Sequence, residues 1–423
     1  MKSRWPPHPR YRLYTRMASY TLPVLQLFRI HSPGKAVLRL EEEICRRFQV
    51  AAAACVPMAR TGLWLALREM IRPGQTVVMS PLTIIDIVNM VLLAGGIPVF
   101  ADICRASCGM DPDEAEALID GRTGAVLITH LHGETSGASV FREICRSHSV
   151  PLIEDTAQAF GTSENGRRLG TIGDLGIYSF GFYKNVNAWR GGMVVSQDPD
   201  LIRRIRGRID ALRQLPDRQL LNIVLSGMLI DVATWPPIFS RLVYPLLRYS
   251  HLNGIGAVNR HLDPERRATR LTSVPAGYLY RMTEAQAQIA LAQMESVDAA
   301  SHARISNAAL YEKGLHETDH LVKPRWRSDG SNTYTYYPVR CRERNALLNY
   351  AMRHGRDFAA QHLRNCADLP EFRGIYRDCP NARAAARELV LLPTYARYPR
   401  AEVERNIEVI QRFSAARAQE RMP

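Results

Sequence analysis

The chain has 423 residues, more than one simple hydrophobic core usually holds, so we expect two or more domains. Hydrophobic residues make up 46% and charged residues 23%, which is an ordinary globular composition and excludes a disordered chain. The net charge of +14 is spread along the sequence without a long Lys/Arg run or a zinc-finger spacing. This pattern argues against a nucleic-acid partner and leaves a membrane surface or anionic substrates.

The eight cysteines and the N-terminus bear on the compartment. No CxxC pair occurs, and several cysteines lie inside apolar periodic segments such as "EEICRRF", so we expect reduced, buried thiols. The basic N-terminus lacks a clear apolar segment followed by a small-residue cleavage site, so no signal peptide is predicted. A cytoplasmic location is therefore expected.

Residues 1–37 are predicted to form an irregular arm, after which strands and helices alternate. Short apolar strands such as "TVVMS", "IPVFADI", "GAVLITH" and "VPLIED" are separated by amphipathic helices such as "TGLWLALREM". This alternation is typical of an α/β fold with a mostly parallel sheet flanked by helices, which we assign to a large domain at 38–212. Ligands bind such sheets at the carboxyl ends of the strands, and Asp155 is predicted at one of these ends.

Residues 213–270 interrupt the alternation with the segment "LLNIVLSGMLIDVATWPPIFSRLVYPLLRYS". Each apolar half is shorter than the ~20 residues that a membrane-spanning helix needs. Two hypotheses remain open at this point. Either the helices pack on their own protein or a partner subunit, or residues 213–262 contact a membrane surface with aromatic and arginine groups at the interface.

Residues 271–423 are predicted to form an interdomain helix and a small C-terminal α+β domain. Thr283 and Gln286 in "RMTEAQAQIALAQM" form a capping box that begins the interdomain helix. In the small domain, "TYTYYPV" is the clearest strand and "RAEVERNIEVIQRF" is the closing helix.

One lysine, Lys184, stands in the apolar segment "YSFGFYKNVNAWRGG". A lysine there either extends its ammonium group to solvent or acts as a desolvated amine, for instance in a Schiff base. The residues upstream favour the second role, because Asp155 ends a strand, Gln158 follows it, and Ser179 precedes the lysine by five positions. Pyridoxal phosphate (PLP) needs such a set: a lysine for its aldehyde, a carboxylate for its pyridine nitrogen, and small donors for its phosphate.

With these motifs, the sequence resembles the DegT/StrS-type sugar aminotransferases, which are PLP-dependent enzymes of fold-type I, over about residues 38–415. The matching segments are "EDTAQ", "SFGFYK", "GGMVV", "AGGIPVFADI", "GYLYRMTEAQAQIALAQM" and "ELVLLPTYARYPRAEVERNIEVI". The resemblance implies that Asp155 pairs with the pyridine nitrogen and that Gln158 lies beside the ring. It also implies that Ser179 binds the phosphate, and that Lys184 holds the cofactor and moves the proton.

The resemblance further implies an activity and an assembly. A homodimer would transfer an amino group from an amino acid, with glutamate as the expected donor, to a keto-sugar, expected to be nucleotide-linked, in cell-surface glycan or secondary-metabolite biosynthesis. Two alternatives remain: an enzyme of the same fold that acts on a lipid-linked or other amphipathic carbonyl compound, and a non-catalytic relative that binds or regulates. No cluster of His, Cys, Asp or Glu has ligand spacing, so no metal site is predicted.

Four positions depart from the family pattern. At the phosphate-binding helix start, Ala59-Arg60 replaces Gly-Thr, and an arginine can bind phosphate directly. Ile84 replaces an aromatic residue on the cofactor ring, Trp189-Arg190 replaces Gly-Glu, and Leu279 replaces an asparagine that reaches the neighbouring subunit's phosphate. Beside the motif residues above, the predicted cofactor contacts are therefore Arg60, Thr61 and Ile84, and the predicted substrate contacts are Tyr183 and Arg190.

Overall fold

The computed structural model describes residues 7–13, 15, 19–23, 35–255 and 269–419. The strands are, in chain order, β1 (Ala52–Val56), β2 (Thr76–Met79), β3 (Leu82–Thr83), β4 (Ile97–Phe100), β5 (Thr123–Thr129), β6 (Leu152–Asp155), β7 (Ser163–Glu164), β8 (Arg167–Arg168), β9 (Leu175–Ser179), β10 (Gly192–Ser196), β11 (Leu321–Val322), β12 (Tyr336–Cys341), β13 (Ala359–Ala360), β14 (Arg364–Asn365) and β15 (Leu389–Pro393).

The α-helices are α1 (Ala36–Phe48), α2 (Ala59–Met70), α3 (Ile85–Leu93), α4 (Pro112–Glu116), α5 (Ala138–Ser147), α6 (Pro199–Asp210), α7 (Asp217–Ala233), α8 (Pro236–Leu252), α9 (Glu284–Met294), α10 (Val297–Gly314), α11 (Arg344–Arg353), α12 (Pro380–Glu388) and α13 (Arg400–Gln419). Within α8, Phe239–Val243 form a π-helical turn. The capping box predicted for Thr283 and Gln286 is formed at the start of α9.

A seven-stranded sheet in the order β1-β10-β9-β6-β5-β2-β4 forms the centre of the large domain. Successive residues of β2 point to opposite faces: Val77 and Met79 belong to one apolar core, and Val78 packs with Phe141 of α5 in another. Because helices cover both faces, these strands are apolar at consecutive positions. This is the α/β architecture that the alternating sequence pattern predicts.

One strand of this sheet, β10, runs antiparallel to both of its neighbours. It begins at Gly192, where a Cβ atom would lie 2.5 Å from the Tyr178 carbonyl oxygen and 2.9 Å from the Ala59 amide nitrogen. Only glycine fits so close an approach of three backbone segments. The glycine pair in the sequence is therefore explained by packing at the edge of the sheet where Lys184 lies.

A four-stranded sheet, β11-β12-β15-β13, forms the core of the C-terminal region together with α10, α11 and α13. The two sheets are joined through a short pairing of β3 with β14, in which Arg364 lies opposite Thr83. The C-terminal region is thereby placed over the carboxyl ends of the large sheet, next to Ile84.

The inserted helices α7 and α8 form a bent pair that we call the helical elbow (217–252). Their axes are bent by 64° at a break containing Trp235. No single helix in the described residues is long and apolar enough to cross a membrane. The two elbow helices reach the necessary length and apolar composition only when they are taken together. The elbow occupies most of the predicted insertion, and residues 256–268 of that insertion lie outside the described residues.

The described part of the N-terminal arm packs against both domains. Asp357 accepts hydrogen bonds from the backbone amide of Arg10, at 3.0 Å, and from its guanidinium Nε, at 2.8 Å. The ring of Tyr11 lies 3.9 Å from the ring of Tyr183. The arm therefore covers the loop that contains Lys184.

Candidate active site

Asp155 and Ser179 lie at the carboxyl ends of two neighbouring parallel strands, β6 and β9. Glu154 precedes Asp155 and points to the opposite face, where its carboxylate accepts hydrogen bonds from the amides of Gly170, Ile172 and Gly173 at 2.6–2.8 Å. The two adjacent carboxylates thus have different surroundings. Glu154 fixes the loop before β9, and Asp155 faces the site.

The loop after β9 holds Lys184 in a largely desolvated position. Its turn requires a positive φ of 65° at Tyr183, and the amide of Lys184 donates to the Gly181 carbonyl at 3.4 Å. The pKa of Lys184 is lowered to about 8: burial is the main cause, the charge of Asp155 opposes the shift, and the charge of Arg60 adds to it. About a tenth of this amine is therefore neutral and nucleophilic at pH 7, far more than in an exposed lysine.

Asp155 is buried, with only one hydrogen bond to its carboxylate recorded in the described chain, from the Ala157 amide at 2.9 Å. Burial raises the pKa of Asp155, while that hydrogen bond and the positive charges of Lys184 and Arg60 act in the opposite direction. A cation placed against this carboxylate would favour its ionised form. The site therefore has a carboxylate suited to a protonated ring nitrogen.

The start of α2 forms an anion-binding end of the same site. Its first backbone hydrogen bond runs from Gly62 to Met58, and no side chain caps the helix, so the amides of residues 59–61 have no hydrogen-bond partner within the helix. Arg60 forms an ion pair with Asp86 and donates to the hydroxyl of Tyr278 at 3.2 Å. These groups are donors of the kind that a phosphate needs.

The remaining predicted contacts lie around this centre. The Thr61 hydroxyl donates to the Tyr278 carbonyl at 3.1 Å, and Arg190 donates to the Gly277 carbonyl at 3.4 Å. Burial and the charge of Arg60 lower the pKa of Arg190. Ile84 is half-buried where β3 leads into α3. The segment "GYLYRM", which the resemblance assigns to a subunit crossing, here contacts Arg60 and Arg190 of its own chain.

Two predicted residues have additional partners that the sequence does not reveal. The side-chain oxygen of Gln158 accepts a hydrogen bond from the His132 amide at 3.3 Å, and its backbone carbonyl accepts one from the Thr335 hydroxyl at 2.7 Å. The Ser179 hydroxyl accepts from the Gly181 amide at 3.4 Å. Ser179 therefore shapes the turn before Lys184 in addition to its predicted phosphate contact.

His130 and His132 lie near the same sheet edge, and the ring of each is hydrogen-bonded to other groups of the protein. His130 accepts from the Ser136 amide at 3.1 Å, so its other ring nitrogen donates to Glu154 at 3.1 Å. His132 accepts from Gln361 at 2.9 Å, and burial lowers its pKa to about 3. Both rings are therefore assigned as neutral.

Sequence reasoning missed His362, which approaches the site from the C-terminal region. Burial, together with the charge of Lys184, lowers its pKa to about 4. A neutral imidazole thus faces the electrostatic field of Lys184. Its position follows from the β3–β14 pairing between distant segments, which no local sequence pattern predicts.

A cavity of about 220 Å³ opens beside Lys184, between the arm and the C-terminal region. Four arginines contribute to its wall: Arg10, Arg12, Arg304 and Arg397. No Asp or Glu is among the described lining residues. Burial lowers the pKa of Arg304 to about 10, and its recorded hydrogen bond is to the Thr335 carbonyl at 3.4 Å. The cavity is therefore suited to an anionic ligand.

The arrangement can perform amine chemistry on a phosphorylated group. It combines a desolvated lysine, a buried carboxylate, uncapped helix amides and an arginine-lined cavity within one cleft. The uncapped helix suits a phosphate, and the buried carboxylate suits a protonated pyridine nitrogen, so the residues present fit PLP.

Comparison with known proteins agrees with this site. The sequence model of the DegT/DnrJ/EryC1/StrS aminotransferase family matches residues 16–231 and 245–411. A GDP-perosamine synthase from Caulobacter vibrioides is 27% identical over 413 residues, which cover 94% of this chain and 95% of that protein.

Solved structures share the fold. The aminotransferase TlmJ from Streptoalloteichus hindustanus has a TM-score of 0.75 at 22% identity, with 97% of this chain and 99% of that chain covered. DesI, whose structure was analysed in the presence of its TDP-sugar product, has a TM-score of 0.73 at 23% identity, with 98% and 96% covered. The family match spans most of the sequence and includes every predicted site residue. The chain therefore belongs to the DegT/DnrJ/EryC1/StrS aminotransferase family and is an aminotransferase.

Proposed function

We propose that this aminotransferase uses PLP to move an amino group from an amino acid, with glutamate as the donor, to a nucleotide-linked keto-sugar. The observation that supports it most is the pairing of Lys184, whose pKa is lowered to about 8, with the buried Asp155 at the same strand edge. A binding protein without catalysis has no need for a desolvated amine beside a buried carboxylate.

When bound, PLP supplies a carbonyl carbon that receives the amino group and a ring that accepts electrons during proton transfer. In the proposed site, Lys184 holds the cofactor, and its Nζ then moves the proton between the two carbons that exchange the amino group. Asp155 pairs with the protonated ring nitrogen, and Gln158 lies beside the ring. Burial and the charge of Arg60 favour the neutral lysine, and the positive charges of Lys184 and Arg60 favour the ionised carboxylate of Asp155.

At the other end of the cofactor, the amides of residues 59–61 and the guanidinium of Arg60 would hold the phosphate, with Ser179 as a hydroxyl donor. Thr61 would donate as well by exchanging its hydrogen bond to the Tyr278 carbonyl for one to the phosphate. Arg60 would then exchange part of its ion pair with Asp86 for the phosphate. Ile84 would cover a ring face by apolar contact alone, since it has no aromatic ring for stacking.

The substrate proposal rests on the relatives and on the charge of the cavity. One relative is a GDP-perosamine synthase, and the structure of DesI was analysed in the presence of its TDP-sugar product. Glutamate and a nucleotide diphosphate are both anionic, and the cavity beside Lys184 has several arginines in its wall. Tyr183, also in this wall, and Arg190 are the proposed substrate contacts.

The test is incubation of the PLP-loaded enzyme with glutamate and a panel of nucleotide-linked keto-sugars, with products analysed by mass spectrometry. The expected result is replacement of the keto oxygen of one sugar by an amino group, together with 2-oxoglutarate. Conversion of an amphipathic or lipid-linked ketone, with none of the nucleotide sugars converted, would replace the acceptor proposed here. Absence of any amino transfer from any amino acid would overturn the activity.

We also propose that the enzyme is a cytoplasmic homodimer with active sites at the subunit interface, as the family resemblance implies. Leu279 stands where relatives use asparagine across the interface, so the phosphate contact from the partner would be weaker and Arg60 would offset it. One chain has a mass of 47.7 kDa, and light scattering should give twice this mass. A fully active monomer would contradict this assembly.

A further inference from the structure

The helical elbow (217–252) exposes an unusual amount of apolar surface. Most of the large apolar side chains that are exposed in the described chain lie on it. On α7 and at the bend they are Leu221, Leu225, Met228, Leu229, Val232 and Trp235; on α8 they are Leu242, Leu246 and Tyr249. Leu229 is 70% exposed and Leu242 is 68% exposed. Monomeric proteins rarely leave such a contiguous patch without a partner.

These side chains form a stripe on each helix. On α7 they recur at spacings of four, three, one and three residues, and on α8 at four and three, which places them on one face of each helix. The opposite face of α7 is fixed to the large domain: Leu220 and Val224 are buried, and a Cβ atom on Gly227 would lie 2.7 Å from the Trp189 ring nitrogen.

On α8, the inner face contacts the C-terminal region. Phe239 and Tyr244 are buried against Met352, and the Tyr244 hydroxyl donates to the Met352 carbonyl at 2.8 Å. Both helices are thus attached along one side, and their outer stripes remain in water. Neither helix is free to insert across a bilayer, and each has only ~17 residues, or about 25 Å of length.

Most of the exposed charges of the elbow are positive. Arg241 and Arg248 are exposed and seven residues apart, so they lie along one edge of the α8 stripe, and Arg218 is exposed at the start of α7. The elbow contains two carboxylates, Asp217 at the exposed first position of α7 and Asp231. Asp231 accepts from the Tyr20 hydroxyl and from the Thr15 amide at 3.3 Å, on the side of the arm.

We propose that the helical elbow docks the enzyme on the surface of an anionic lipid bilayer. The apolar stripes would enter the boundary between head groups and acyl chains, with Arg241 and Arg248 at the anionic head groups. A second copy of this chain is less suited to the surface, because a two-fold interface would place the same arginines, Arg241 and Arg248, against each other. The bend, residues 232–244, falls outside the family match, and the rest of the elbow lies inside it.

The experiment is flotation of the purified full-length holoenzyme with vesicles of phosphatidylcholine alone or mixed with phosphatidylglycerol. We expect the protein to float with the anionic vesicles and to stay in the dense fraction with the neutral ones. The double variant Leu229→Ser/Leu242→Ser should lose flotation, and Arg241→Glu/Arg248→Glu should reduce vesicle partitioning at least about ten-fold. All four positions are exposed, so these variants should remain folded.

Matched controls lie outside the elbow. Leu38→Ser changes a leucine that is 48% exposed on α1, and Arg122→Glu changes an arginine whose side chain is 77% exposed. Both should float like the wild type. The proposal is overturned if the wild type stays in the dense fraction with anionic vesicles, or if the elbow variants float as well as the controls. A wild-type oligomer that dissociates in the leucine double variant, without flotation, would identify the stripe as an interface between copies.

Discussion

The catalytic cleft and the helical elbow depart from the usual distribution of residues in opposite ways. In the cleft, Lys184 and Asp155 keep ionisable groups away from water. On the elbow, residues such as Leu229 and Leu242 keep apolar groups in water. Buried ionisable groups and exposed apolar groups are both expected where a bound ligand or partner contacts them. A cofactor would do so in the cleft, and a lipid surface would do so at the elbow.

The two regions also differ in their relation to the family. The strand edge with Asp155 and the loop with Lys184 lie inside the family match, and the bend of the elbow lies outside it. We therefore expect that catalysis and membrane docking can be altered independently in this chain. A change in the cleft should alter catalysis without altering flotation, and a change on the elbow should do the reverse for water-soluble substrates.

The largest expected effect is that of Lys184→Ala. Loss of the amine should remove the covalent attachment of PLP and lower turnover by roughly 100- to 10,000-fold, since the general acid–base group is lost with it. Borohydride reduction followed by peptide mass spectrometry measures the attachment, and flotation should remain at the wild-type level.

The chain has five lysines, which makes this labelling experiment decisive. Lys313→Ala changes an exposed lysine of α10 and should retain both the label and the activity. A pyridoxyl label on Lys313 or any other lysine of the wild type would contradict the assignment of Lys184.

A smaller effect is expected at the phosphate end of the cleft. Arg60→Ala should raise the dissociation constant of PLP by roughly ten-fold or more, because a charge-assisted hydrogen bond contributes about 1.5–3 kcal/mol. A titration followed by absorbance measures it. Asp86→Asn is the matched variant: it releases Arg60 from its ion pair, so the constant should stay the same or fall. An unchanged constant in Arg60→Ala would leave this arginine with its structural partners only.

The fold is predicted correctly from the sequence, and the strand edge proposed as the centre of the site is predicted with it, because both depend on local order. Apolar strands alternating with amphipathic helices predict the parallel sheet, and a strand that ends at Asp155 predicts a ligand at that edge. The spacing of Ser179 and Lys184 is likewise local, because five residues are enough to form the loop after β9.

The parts that the sequence does not predict depend on contacts between distant segments. His362 reaches the site through the β3–β14 pairing, and Arg304 reaches the cavity from α10. Tyr11 meets Tyr183 only when the arm folds back over the loop. The segment with Trp235 predicts two helices, but only the packing of Gly227 and Tyr244 determines which face stays exposed.

Arg304 allows a test within the arginine-lined cavity. Arg304→Gln should raise the KM for glutamate by roughly ten-fold with little change in kcat, the pattern expected when binding is lost equally in the ground and transition states. Arg304→Lys keeps the charge and should give an intermediate KM. Arg203→Gln changes an exposed arginine of α6 and is the control, with wild-type kinetics expected. A wild-type KM in Arg304→Gln, in a variant with wild-type thermal unfolding, would exclude this residue from donor binding.

The smallest expected effect is a shift in pH dependence. Only the neutral amine of Lys184 reacts with an aldehyde, and its fraction rises as the pH rises through the pKa. In the cofactor-free enzyme, the rate of PLP attachment should therefore increase with pH around a midpoint of about 8 and level off above it.

Two variants should shift this midpoint. Asp155→Asn removes a charge that raises the pKa of Lys184, so the midpoint should move down. Arg60→Ala removes a charge that lowers it, so the midpoint should move up. Each shift should be roughly one pH unit or less, as expected for one neighbouring charge in a partly solvated cleft. Stopped-flow absorbance at a series of pH values measures all three midpoints. A wild-type midpoint near that of an ordinary lysine, or shifts of the opposite sign, would show that these charges do not act on Lys184.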